Sequence, residues 1–267
     1  MWSKPTFGAE TNVSNRQNKR AIMKKINTNS NAYIILYSTV MVAVVATLLA
    51  VAALSLQERQ YANELNEKKQ SILASLSATG ENYDEFIEAR ILDAEGRPVE
   101  GDDVFARLND LQGSFDEGRF PIFEARDGRV VIPVTGSGLW GPIWGYVALE
   151  NDMDTVAGIV MAHKGETPGL GAEIATEKYQ SKFVGKTIFE GDEFVSVTLR
   201  KGGVKDLAHE VDAITGGTKT SDGVTAMLRT SIGHYLPLLE ARRTAAAQAE
   251  AEGCEEVSNE EKAEDHE

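Results

Sequence analysis

The apolar positions of this 267-residue chain follow three different rhythms. From Ala32 to Leu56, "AYIILYSTVMVAVVATLLAVAALSL", they leave no polar face, and no charged residue interrupts the 25 positions. A helix needs about 20 such residues to cross a bilayer. The apolar core of a cleaved signal peptide is shorter, about 7–15 residues, so the stretch predicts a membrane-spanning helix. Behind it, "ERQYANELNEKKQSILASL" (58–76) spaces Leu65, Ile72, Leu73 and Leu76 among good helix formers. That spacing predicts a helix that extends the span or restarts after a short break. β-rich runs punctuated by glycine then follow at 129–136, 144–150, 155–166 and 193–203. The last alternates apolar residues at Val195, Val197 and Leu199. Helical spacing returns in "SDGVTAMLRTSIGHYLPLLEARR", at Val224, Met227, Leu228, Ile232 and Tyr235. Ser221 or Asp222 is the expected N-cap, and Pro237 marks a kink or a second helix start. Residues 80–128 are acidic and turn-rich and predict mixed short elements. The fold class expected of such strands and flanking helices is α+β.

Charge refines this picture. The formal net charge is −14, yet Glu250 to Glu267 hold nine acids against one lysine. So acidic a stretch, with almost no large apolar side chain, cannot offset the entropy of ordering, and it reads as a disordered tail. The remaining body is mildly acidic and offers no nucleic-acid surface. Cys254, the one cysteine, lies in the tail, and the four histidines lack ligand spacing, so no metal site is expected. Before the span stand Lys4, Arg16, Lys19, Arg20, Lys24 and Lys25 against Glu10 alone, while the charges just after it nearly balance. A basic excess stays on the cytoplasmic side. The expected order is therefore a basic cytoplasmic tail (1–31), a transmembrane helix (32–56), an extracytoplasmic domain (57–245) and an acidic tail (246–267).

Three motifs carry candidate chemistry. "SGLWGPIWGYVAL" (137–149) has glycines that let backbone pass close to a neighbour and two tryptophans with flat apolar faces; from the residues alone a hairpin corner packed by those tryptophans is the favoured reading. "KGETPGLG" (164–171) places Pro168-Gly169 at the centre of a type II turn, which serves either a plain surface loop or exposed amides around a ligand. "VDAITGGTKTSDGV" (211–224) crowds hydroxyls and glycines ahead of a helix, either as a turn with a capped helix or as a phosphate cradle. It has neither P-loop nor dinucleotide-fingerprint spacing.

In this order behind one span, "ILYSTVMVAVVATLLAVAALSLQERQ", "LNEKKQSIL", "GLWGPIWGYVAL", "GETPGLG" and "DAITGGTKTSDGV" resemble the C-subunit family of the sodium-translocating NADH:quinone reductase. The resemblance covers most of the chain from about Asn31 to about Tyr235. It implies a single-span subunit of the inner membrane with a periplasmic FMN domain. Such a protein relays electrons from NADH toward quinone within an oxidoreductase complex and has no catalytic activity of its own. Its partners would be the other subunits, the lipid bilayer and a flavin transferase that joins FMN through its phosphate to a threonine. The family's motif Asp-x-x-Ser/Thr-Gly-Ala-Thr falls on Asp212, Thr215, Gly216, Gly217 and Thr218. Thr218 is thus the implied attachment site and Asp212 the transferase's recognition residue. Gly217 departs from the family's usual alanine; it is smaller and makes the turn more flexible. Leu139, Trp140, Glu166, Thr167, Leu170 and Gly171 would surround the isoalloxazine. Thr215, Gly216, Gly217, Lys219, Thr220 and Ser221 would surround the phosphate, with Ser221 alternatively capping the helix. Two other readings compete. One is the G subunit of the related ferredoxin-linked (Rnf-type) electron transport complex; the other is a cofactor-free, membrane-anchored binding or sensory domain.

Overall fold

The computed structural model describes residues 30–245. Most of the basic tail and the whole acidic tail, with Cys254, lie outside them. The chain divides into two compact units, one ending at Tyr61 and one starting at Ala62. In the first, helix α1 (Asn31–Ser75) begins at Asn31, and its apolar side chains from Ile34 to Leu56 are exposed all round. Exposed apolar surface of that length is stable only in lipid. The few polar side chains of the span turn inward: Ser38 Oγ donates to Ile34 O (2.6 Å), Thr39 Oγ1 to Ile35 O (2.8 Å) and Thr47 Oγ1 to Ala43 O (2.8 Å). A helix that satisfies its own donors in this way meets the requirement of a bilayer interior.

The second unit is built on a five-stranded antiparallel meander in sequence order: β1 (Ile87–Leu92), β2 (Phe120–Ala125), β3 (Val130–Ser137), β4 (Pro142–Leu149) and β5 (Val156–His163). Short helical turns fill the margins: α2 (Tyr83–Phe86), α3 (Val104–Arg107), α4 (Leu111–Asp116) and α5 (Glu177–Gln180). Both faces of the sheet are covered. On one, Ile72 and Leu73 at the end of α1, with Leu76 just beyond it, pack with Phe123, Val131, Tyr146 and Ala148. Helix α1 comes so close there that a Cβ on Gly158 would overlap Ser75 O. On the other face, Ile122, Val130, Ile132, Val134, Val147 and Leu149 pack against Val224, Met227, Leu228 and Ile232 of α6 (Thr218–Gly233). Burial on both faces explains why "VVIPV" in β3 is apolar without alternation.

The expected strands at 129–136, 144–150 and 155–166 match β3, β4 and β5, and Pro237 opens a second helical stretch over 236–245. Two expectations need correction. Residues 193–203 are not one strand. Glu193–Phe194 (β7) forms a hairpin with Phe189–Glu190 (β6), whereas Thr198–Arg200 (β8) pairs in parallel with Glu210–Asp212 (β9). Between them Ser196 takes a left-handed backbone (φ 62°), which lets the amides of Val195 and Ser196 both reach Ile188 O at 2.9 Å. The alternation of Val197 and Leu199 reports burial of one face, which a three-residue strand satisfies as well as a long one. The second correction is the N-cap of the last helix, which is Gly217; neither Ser221 nor Asp222 caps it.

Candidate functional site

The helix starts early because the preceding turn closes on it. Gly217 N–H donates to Ile214 O (3.0 Å), and Ser221 Oγ, fully buried, donates to Gly217 O (2.9 Å) while accepting from Ile214 N–H (3.0 Å). Ser221 therefore ties the turn to the first helical turn from inside. Asp222 is exposed and pairs with Lys201 at 3.0 Å. Thr218 occupies the first helical position with its side chain exposed and, among the described residues, its hydroxyl has no hydrogen-bond partner. No side chain caps the helix and no acid lies in its first turn. The amides of the exposed Thr218 and Lys219 thus remain available to an anion, favoured also by the helix dipole.

Two residues on, Thr220 is buried and points the other way, donating to Glu166 Oε2 at 2.7 Å. Glu166 Oε1 accepts the amide N–H of Trp140 at 2.8 Å. All three motifs therefore meet at one carboxylate. Glycines make the approach possible: a Cβ on Gly138 would overlap Glu166 Oε1, one on Gly171 would overlap Glu166 Oε2, and one on Gly223 would overlap Ser137 O.

The first motif is a hairpin, with Gly138 N–H donating to Gly141 O at 2.8 Å, but its tryptophans do not pack a corner. Leu139 and Trp140 are 53% and 68% exposed, and Trp144 lies on the opposite face of β4, beside Tyr146 in a separate groove. In the second motif Leu170 N–H closes the turn onto Thr167 O (3.1 Å), and Gly169 at φ 73° is the third residue of a type II turn. Thr167 is exposed and Gly171 buried. Leu170, 41% exposed, lies on the turn that leads into α6, where a Cβ at Gly216 (φ 76°) would stand 2.7 Å from its Cδ2.

Of the residues expected at the site, Leu139, Trp140, Leu170, Thr218 and Lys219 present surface, and Gly216 and Gly217 shape the turn beneath. Glu166, Thr220 and Ser221 are buried and engaged with the protein itself. Asp212 and Thr215 face a different space. They help line a cleft of about 530 Å³ with Tyr179, Lys178, Lys182 and Arg200, where Asp212 Oδ1 holds Val204 N–H (3.1 Å) and Asp212 O accepts from Tyr179 (2.9 Å). Gly223 is a structural residue of the site that pattern reading passed over. The available signal was its place inside a helix, where glycine costs about 1 kcal/mol against alanine unless close packing requires it.

Exposed aromatic and aliphatic side chains beside an uncapped helix start fit a flat apolar ring carrying a phosphate.

Comparison with known proteins agrees with this geometry. A family model described as an FMN-binding domain matches residues 138–233, which include all three motif contacts. The C subunit of the Na(+)-translocating NADH-quinone reductase of Neisseria meningitidis is 31% identical over 76% of this chain and 91% of its own length. That of Pseudomonas aeruginosa is 30% identical over 78% of this chain and 93% of its own. The crystal structure of the C subunit from Parabacteroides distasonis superposes with a TM-score of 0.63 at 40% identity, covering 69% of this chain and 96% of that one.

Proposed function

The chain belongs to the C-subunit family of the Na(+)-translocating NADH-quinone reductase, and from that premise we propose that it relays electrons through an FMN joined by a phosphoester to Thr218. It is a membrane-anchored flavoprotein component of a multi-subunit oxidoreductase. Its relatives are C subunits of the sodium-translocating enzyme, so the ferredoxin-linked alternative gains no support. The observation that carries the site is the exposed, unpartnered Thr218 at the uncapped start of α6, flanked by Leu170 and the Leu139–Trp140 hairpin tip.

FMN bound there supplies reversible electron transfer. The chain's own residues hold and orient it. The amides of Thr218 and Lys219 and the ammonium of Lys219 favour the phosphate's negative charge. Leu139, Trp140 and Leu170 offer apolar surface to the ring and keep water from it. Attachment is the work of a separate transferase that reads Asp212. The basic residues before the span support a cytoplasmic N-terminus and a periplasmic main domain at the inner membrane.

Protein co-produced with a flavin transferase is expected to carry one FMN moiety by intact mass, absent in Thr218→Val. An adduct that persists in that variant would place the attachment elsewhere. Protease added to sealed spheroplasts is expected to cleave the domain; full protection would reverse the orientation.

A further inference from the structure

Glu166 is only 5% exposed, and among the described residues no lysine, arginine or histidine forms an ion pair with it. Burying a carboxylate without a counter-charge is costly, and hydrogen bonds must compensate it. Here both oxygens are met by the protein: Oε1 by the Trp140 amide at 2.8 Å and Oε2 by the Thr220 hydroxyl at 2.7 Å. Its own amide donates to His163 Nδ1 at 3.2 Å, which fixes the base of the side chain to the end of β5. The hydrogens of Gly138 and Gly171 leave room for the carboxylate, and a methyl at either would fill its place.

The family resemblance implies a place for Glu166 among the groups around the flavin ring. The geometry points to a different role, and we infer that Glu166 is a positioning residue that fixes the flavin slot through Trp140 and Thr220 without touching the flavin. Two helical residues turn about 200° around the axis, so clamping Thr220 inward holds Thr218 outward on the same turn. The other oxygen holds the hairpin tip that carries Leu139 and Trp140. One carboxylate thereby sets the spacing between the apolar tip and the attachment threonine. This inference rests on the proposed FMN site.

The test is titration of FMN into the flavin-free full chain in detergent, followed by fluorescence quenching and by visible circular dichroism of the bound flavin. Thermal unfolding of each variant is recorded alongside. Glu166→Ala and the isosteric Thr220→Val are each expected to weaken binding about tenfold, the equivalent of one lost hydrogen bond of about 1.4 kcal/mol, and to change the flavin's dichroism. Glu166→Gln restores both signals, because its amide oxygen can accept from Trp140 and its NH2 can donate to Thr220. If Glu166→Ala does not fold, Thr220→Val decides. Wild-type affinity and dichroism in Thr220→Val would overturn the positioning role. So would a folded Glu166→Gln as weak as the alanine variant, since the charge itself would then be what the flavin needs. Absence of any FMN adduct, by intact mass, on the wild-type chain co-produced with the transferase would instead refute the functional reading.

Discussion

At the scale of single residues, the glycines separate into those with a task and those without. A methyl on Gly171 would fall on the Glu166 carboxylate and the Thr220 hydroxyl, whereas on Gly141 it would meet only Lys164 Cβ at 3.7 Å. Overpacking of this kind costs about 1–3 kcal/mol, so Gly171→Ala is expected to lower the thermal midpoint clearly and Gly141→Ala hardly at all. Equal melting of the two would mean that the close approach at Gly171 is relaxed in solution. Gly217 is the intermediate case. A methyl there stands 2.8 Å from Cγ2 and 3.1 Å from Cβ of the buried Ile214, which must shift to admit it, while the glycine's φ of −103° suits any residue. Gly217→Ala, which restores the family's usual residue, is therefore expected to cost about 1 kcal/mol, the low end of overpacking, and to leave flavin incorporation by intact mass unchanged. Loss of incorporation would show that the turn needs glycine's freedom here.

At the scale of elements, the start of α6 decides the site, and an internal tie sets that start. Ser221→Ala would strip Ile214 N–H of its partner in a buried position, which costs about 1–3 kcal/mol. Asp222→Ala would remove a surface ion pair with Lys201, worth about 0–1 kcal/mol. Chemical denaturation is expected to rank Ser221→Ala as the more damaging; the reverse ranking would return the capping role to Asp222. The same helix is held at its far end by Tyr235, just beyond α6, whose phenol donates to Pro121 O in β2 at 2.6 Å. Along its length Ser231 Oγ accepts from Thr135 N–H of β3 at 3.1 Å. The turn at 215–218 therefore sits on a helix fixed to the central sheet at several points, a suitable support for the proposed flavin, whose distance to its redox partners matters.

At the scale of the whole molecule, stability should depend on pH through a few groups with opposite signs. His234 stacks on Phe115 with ring centroids 4.5 Å apart, and its Nε2 is buried without a partner among the described residues. Burial lowers its pKa, with Asp116 opposing. The unfolded chain then binds the extra proton first, near the ordinary value of about 6.5, so stability falls as pH drops below that value toward the folded pKa. Asp127, hydrogen-bonded by Arg129, is held below its usual range, and its contribution is lost only at more acid pH. His209 has the opposite sign. Burial lowers its pKa, but the Phe189 carbonyl and Asp206 outweigh burial and raise it, so its contribution is present at low pH and lost as pH rises. His234→Phe keeps the stacking and removes the titration. Its melting temperature relative to the native chain is expected to be constant above pH 7 and to rise as pH falls to 5; a pH-independent difference would remove His234 from the account. As for what was legible, the span, strands β3 to β5 and the residues of α6 that face the core could be read along the chain, because membrane insertion and core burial act on each stretch separately. The three motifs could be recognised for the same reason, and their order carried the family resemblance. The break at Ser196, the early start of α6 and the separation of Trp140 from Trp144 could not be read in this way. Each depends on a partner distant in sequence or on which face of a strand is covered. Glu166 is the clearest instance. The sequence marked it as one residue among several near a ligand, and only the folded chain, bringing Trp140 and Thr220 to its two oxygens, made it the point on which the site converges.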